Sequence, residues 1–156
     1  TYLESGEIDL ALVGGCDVFT ATAAESRGRM NLTPDNSRGL PVGEGSSWLL
    51  LGHNSEKKLS DILAVRFASP RESGLFSGTE KKDSYFLPGF RIKEEQIDAW
   101  KNKNWRLYDY LPCCGIHSVA SAYGIAHALL SEKTGSFLHY NMNAAGRHAF
   151  ILARKQ

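Results

Sequence analysis

The segment Ser5-Gly6-Glu7-Ile8-Asp9-Leu10-Ala11-Leu12-Val13-Gly14-Gly15-Cys16-Asp17 decides how this chain is read. Residues 1–6 have the pattern of a helix's last turns, and Gly6 supplies the left-handed residue on which helices commonly stop. Ile8 to Val13 is an apolar run bounded by Gly14-Gly15, the pattern of a buried strand in an α/β sheet. A helix end, a short link and a buried strand in that order place the chain in the α/β class.

Reading outward, a short helix is expected over Thr22–Arg29, and the Asn, Pro, Asp, Ser and Gly of 31–45 predict a loop. Ser46–Leu51 and Ile62–Ala68 follow as a second and third buried strand, and 69–91 reads as an irregular connection. Lys93–Lys101 sets Ile97 and Trp100 on one face, which predicts a short amphipathic helix. Ser118–Glu132 is apolar or small around most of its circumference, the mark of a buried helix, with Gly135 as its stop. Two strands, Ser136–Met142 and Ala149–Arg154, close the chain around the link Asn143–Arg147.

Composition narrows the function classes. The 156 residues suit a single domain, with 42% hydrophobic and 22% charged residues, which excludes collagen-like, coiled-coil and disordered chains. Lys and Arg total 18 against 17 Asp and Glu, so nothing marks a phosphate-binding surface and no nucleic-acid partner is expected. No apolar run approaches the roughly 20 residues that span a bilayer, so no membrane role is expected. The start, Thr-Tyr-Leu-Glu-Ser-Gly-Glu, lacks a signal peptide's basic and apolar regions, and three cysteines form no disulfide framework. A cytoplasmic setting is the expectation.

The opening segment, together with Arg38-Gly39 and Val42-Gly43-Glu44-Gly45-Ser46-Ser47-Trp48-Leu49-Leu50-Leu51, resembles the central part of a β-ketoacyl synthase, a condensing enzyme of the thiolase fold. In that family a helix-to-strand unit ends in a Gly-Gly-x-Asp-like turn, and a Gly-Glu-Gly strand follows at similar spacing. Further on, Cys114-Gly115-Ile116-His117-Ser118-Val119-Ala120-Ser121-Ala122-Tyr123-Gly124 resembles the family's Gly-His pair opening an Ala-rich helix. Asn141-Met142-Asn143-Ala144-Ala145-Gly146-Arg147-His148-Ala149 resembles its Gly-rich loop before the last strand. The likeness covers about two-thirds of the chain. It implies a thiolase-like αβαβα sandwich of which residues 1–156 form the C-terminal portion, one partial domain.

The departures matter as much. The resemblance places the nucleophilic Cys about three helical turns before Thr1, outside these residues. It places a further His, in a Gly-Thr-Gly-Thr segment, between Leu63 and Tyr110, where there is none. Pro112 stands where the family has a Lys, and Gly146 alone remains of the Gly-rich loop's glycines. Such a piece is expected to expose apolar surface where further structure packs.

The resemblance points to His117 as a candidate catalytic donor, weighed evenly against a structural His at the start of the helix. Asn143 and His148 are weaker candidates for substrate contact, the alternatives being a turn Asn and a surface His. Cys113, Cys114 and Cys16 read as packing residues, and the scattered Cys and His do not make a metal site. No cofactor is expected. Condensation of acyl chains held on an acyl carrier protein is the function implied, in fatty acid, polyketide or aryl-polyene-type biosynthesis, with a homodimer or a heterodimer with a synthase subunit. The alternative is a non-catalytic partner resembling a chain-length factor, which shapes the acyl tunnel of an active synthase.

Overall fold

The computed structural model describes residues 2–18, 20–22, 25, 40, 43–53, 58–68, 83–117, 119–143 and 146–156. Most of the helix expected at 22–29 and most of the 31–45 loop, with its Arg38-Gly39 and Val42, lie outside these.

Residues 2–7 close as a helix end. Glu7 N–H donates to the Tyr2 carbonyl at 3.0 Å and Gly6 N–H to the Leu3 carbonyl at 3.3 Å, with Gly6 at φ +74°. This bonding pattern is the Schellman stop that a left-handed glycine permits. Strand β1 (Leu10–Asp17) follows and pairs antiparallel with β2 (Gly45–Gly52), Leu12 opposite Leu50 and Gly14 opposite Trp48. The strand therefore runs straight through Gly14-Gly15, which form no turn. A Cβ on Gly14 would collide with the Ser47 carbonyl and lie 2.9 Å from the Trp48 ring. The glycine is there because β2 passes too close for a side chain.

The second sheet has five strands in the order β3 (Asp61–Ala68), β7 (His148–Lys155), β6 (Gly135–Met142), β4 (Ser84–Pro88) and β5 (Arg106–Leu107). Strands β4, β5 and β6 are parallel, and β7 is antiparallel to both β6 and β3. The stretch expected to be irregular thus contains β4, whose five residues are all buried. A parallel strand covered on both faces carries no polar alternation to betray it.

Helix α1 (Glu94–Lys101) packs Ile97 and Trp100 against one face of this sheet, where Phe86, Leu138, Tyr140 and Phe150 form a core. Helix α3 (Ala120–Leu130) packs Ile125, Ala128 and Leu129 against the other face, on Tyr85, Leu87 and Phe137. A single turn, α2 (Leu111–Cys114), precedes it. The stop of α3 is Ser131, whose N–H and hydroxyl both reach back into the last turn, rather than Gly135. Gly135 instead opens β6 at φ +118°, where any Cβ would run into the Asp83 carbonyl.

Strands β1, β2 and β3 have the apolar sequences of buried strands, yet much of that surface is open among the described residues. Leu10, Leu12, Leu50 and Trp48 are more than half exposed, and Phe67 reaches 83%. This is the open apolar surface that the sequence leads one to expect. Among the described residues, no helix is long and apolar enough to cross a membrane.

Candidate functional site

The turn between α2 and α3 is the centre of the site. Pro112 occupies the first turn of α2, where its missing N–H costs nothing. Gly115 ends the turn at φ 70°, its N–H donating to the Leu111 carbonyl at 2.7 Å. The chain then runs out through Ile116 and His117, and the His117 carbonyl accepts from Ala120 N–H at 3.2 Å as α3 begins.

Against this turn lies the entry to β2. Gly43 N–H donates to the Ile116 carbonyl at 3.0 Å, and a side chain on Gly43 would strike the Cys114 carbonyl. A Cβ on Gly45 would touch the His117 ring, 3.4 Å from Cε1, and one on Gly15 would sit 2.7 Å from Val119 Cγ1. Gly43 and Gly15 are thus small because Cys114 and Val119 press on them, while a Cβ on Gly45 would make ordinary contact with His117. The two motif stretches, far apart in sequence, are one contact in space.

His117 is buried, its imidazole lying over Gly45. Asn143 is exposed in the β6–β7 turn, where its Oδ1 accepts from Arg147 N–H at 2.9 Å. His148 is buried rather than on the surface: its Nδ1 shares a 2.6 Å hydrogen bond with Tyr140 Oη, and its ring stacks on Tyr140 at 5.5 Å. The register pairs His148 with Met142 and sets Tyr140 opposite Phe150, so His148 belongs to the α1 face of the sheet. His117 precedes the helix on the other face. The structure does not bring His117 and His148 together.

Of the remaining histidines, His53 and His127 are exposed, with His127 Nδ1 2.9 Å from Tyr108 Oη. His139 is a core residue, its Nε2 sharing a 3.1 Å hydrogen bond with Tyr110 Oη. Cys16 and Cys113 are exposed, not packed as the sequence led one to expect, because β1 and the outer side of α2 carry no cover among the described residues. Cys114 is half-buried. Burial, with Cys113 and Asp109 nearby, pushes its thiol up to about 11. At pH 8 only about one Cys114 in a thousand is then a thiolate, so iodoacetamide should modify it more slowly than Cys16 and Cys113. Peptide mapping of a timed labelling reaction checks this, and equal rates at Cys113 and Cys114 would refute it. A thiol held in this state is a poor nucleophile.

One group at the site was not singled out from the sequence. Asn141, in β6, donates through Nδ2 to Ser121 Oγ at 2.9 Å, and its Oδ1 accepts from Met142 N–H at 2.9 Å. Its place two residues after His139, on the same face of β6, was the available signal. Among the described residues no three Cys, His, Asp or Glu side chains are grouped as metal ligands.

No known family profile matches the sequence, and no curated protein matches it. Solved structures do match. A type II polyketide ketosynthase in complex with its acyl-carrier protein superposes with a TM-score of 0.72 at 13% identity, over 99% of this chain and 54% of the other. The ishigamide ketosynthase/chain length factor gives 0.72 at 18% identity, over 99% and 56%. This chain has a thiolase-like condensing-enzyme fold. The 3-oxoacyl-(acyl carrier protein) synthase III of Pseudomonas aeruginosa is similar at a TM-score of 0.58 and 14% identity, over 99% and 60%. The chain therefore spans little more than half the length of these thiolase-like proteins. Within the fold, the sheet end where β4 finishes reads Pro88-Gly89-Phe90-Arg91, and no histidine lies between His53 and His117.

Proposed function

We propose that this chain is the C-terminal portion, a single partial domain, of a β-ketoacyl synthase-like protein that condenses acyl chains carried on an acyl carrier protein. The observation that carries this reading is the likeness of fold to ketosynthases over 99% of the chain. The work would be cytoplasmic and the assembly a homodimer or a heterodimer with a synthase subunit. In this reading a cysteine outside these residues takes the acyl group, and His117 serves as a donor to the developing negative charge. Asn143, in the exposed β6–β7 turn, contributes to substrate binding in this reading, and His148 could do so only from the α1 face of the sheet.

A specific observation also favours the non-catalytic, chain-length-factor-like reading: the interval after β3 lacks a histidine and Pro112 replaces the family's Lys. One experiment separates the two. The complete protein is incubated with an acyl-loaded carrier protein and examined by intact-mass spectrometry. A covalent acyl adduct is expected from a synthase. No adduct alone, but adduct formation in a co-purified synthase subunit, identifies the partner role, and the absence of both defeats the condensing-enzyme reading.

A further inference from the structure

The carboxamide of Asn141 lies where three segments of the site meet. Its strand, β6, ends at Met142, whose N–H the Asn141 Oδ1 accepts. Its Nδ2 crosses to Ser121 Oγ in the first turn of α3. Beside it, the turn after β4 is fixed by Gly89 N–H donating to the Tyr140 carbonyl at 2.8 Å. A Cβ on Gly89 would run into Asn141 Oδ1, so this end of β4 rests directly on the carboxamide. The same first turn of α3 holds the His117 carbonyl through Ala120 N–H.

We propose that Asn141 is a positioning residue: its carboxamide ties the ends of β4 and β6 to the first turn of α3 and thereby fixes the turn that carries His117. An amide suits this place. Its donor and its acceptor are used at once, on Ser121 Oγ and Met142 N–H, without placing a charge there, and an apolar residue offers neither. An apolar side chain would fill the space but would leave Met142 N–H and Ser121 Oγ to find other partners. The consequence for catalysis rests on the reading of His117 as a donor in the condensation reaction.

The test follows the His117 ring by NMR in the complete protein labelled with ¹³C-histidine. Asn141→Leu removes the donor and the acceptor together at similar size, and Ser121→Ala is a milder break of the same bond from the other side. Both should displace the His117 ring signal, and the double variant should displace it little further. Gln96→Ala serves as control, because it breaks the 3.3 Å Gln96–Tyr140 bond on the opposite face of the sheet. It should lower the melting temperature without moving His117. If the first two variants lower the melting temperature while the His117 signal stays, or Gln96→Ala moves it equally, the proposal fails. In the condensation assay the positioning role predicts a kcat loss of ~10–100-fold at Ser121→Ala with KM held, the size of effect a small misplacement produces. A displaced His117 signal with kcat unchanged would uphold the positioning role and overturn the catalytic reading of His117.

Discussion

Gly124→Ala is expected to lower the unfolding free energy by ~1–3 kcal/mol, the range of an overpacked core. Helix propensity alone argues the opposite, since Ala in place of a mid-helix Gly is worth about 1 kcal/mol of stabilisation. Geometry decides between them. A Cβ at position 124 would lie 2.6 Å from both Cε2 and Cζ of Tyr110, inside the distance real Cβ contacts reach. The ring has nowhere to go: Tyr110 is almost wholly buried and its hydroxyl is tethered to His139. Relief by rotating the ring would break that bond and leave buried polar atoms unpaired, at a further ~1–3 kcal/mol. Urea denaturation of the two proteins gives the sign directly, and a stabilised variant would refute the packing. Combined with Tyr110→Leu, which makes room, the substitution should cost less than it does alone.

The same residues show what a sequence can and cannot disclose. Strands β2, β3, β6 and β7 are legible to within a residue or two because each is an apolar run bounded by turn-formers, a local property. Strand β4 is not, because Tyr85-Phe86-Leu87 between Ser84 and Pro88 is too short to show any period. Its identity comes from lying parallel between β6 and β5. The glycines were legible as special but not in kind. Gly6 is a helix stop and acts through its own backbone. Gly14, Gly15 and Gly43 act through what approaches them from elsewhere in the chain. His117 was found by its neighbours in sequence. The separation of His148 from it depends on which face of β7 His148 takes, and only the register with β6 fixes that. Asn141 was quoted as part of a motif, yet its role depends on Ser121 and Gly89, which no local pattern connects to it.

His139 makes the second large expectation, an acid instability confined to a defined range. Burial lowers its pKa from 6.5 to about 4, so the folded protein holds this imidazole neutral where the unfolded chain protonates it. Between these values the unfolded state binds the extra proton, so stability rises with pH across the window and is lost as pH falls through it. At pH 4.5 the loss relative to pH 7.5 is about 2–3 kcal/mol, from a pKa depressed to about 4. Carboxylates titrate over the lower part of the same range, so the wild-type slope alone does not isolate His139. His139→Gln does: it keeps an amide within reach of Tyr110 Oη and cannot titrate. Urea denaturation at pH 7.5 and 4.5 should show the variant losing less stability than the wild type by most of that amount. Equal losses would mean that the imidazole is protonated inside the fold, which would require an anionic or accepting partner beyond Tyr110. Since the Tyr110 ring also bears on Gly124, one buried tyrosine links the packing of α3 to the acid limit of the fold.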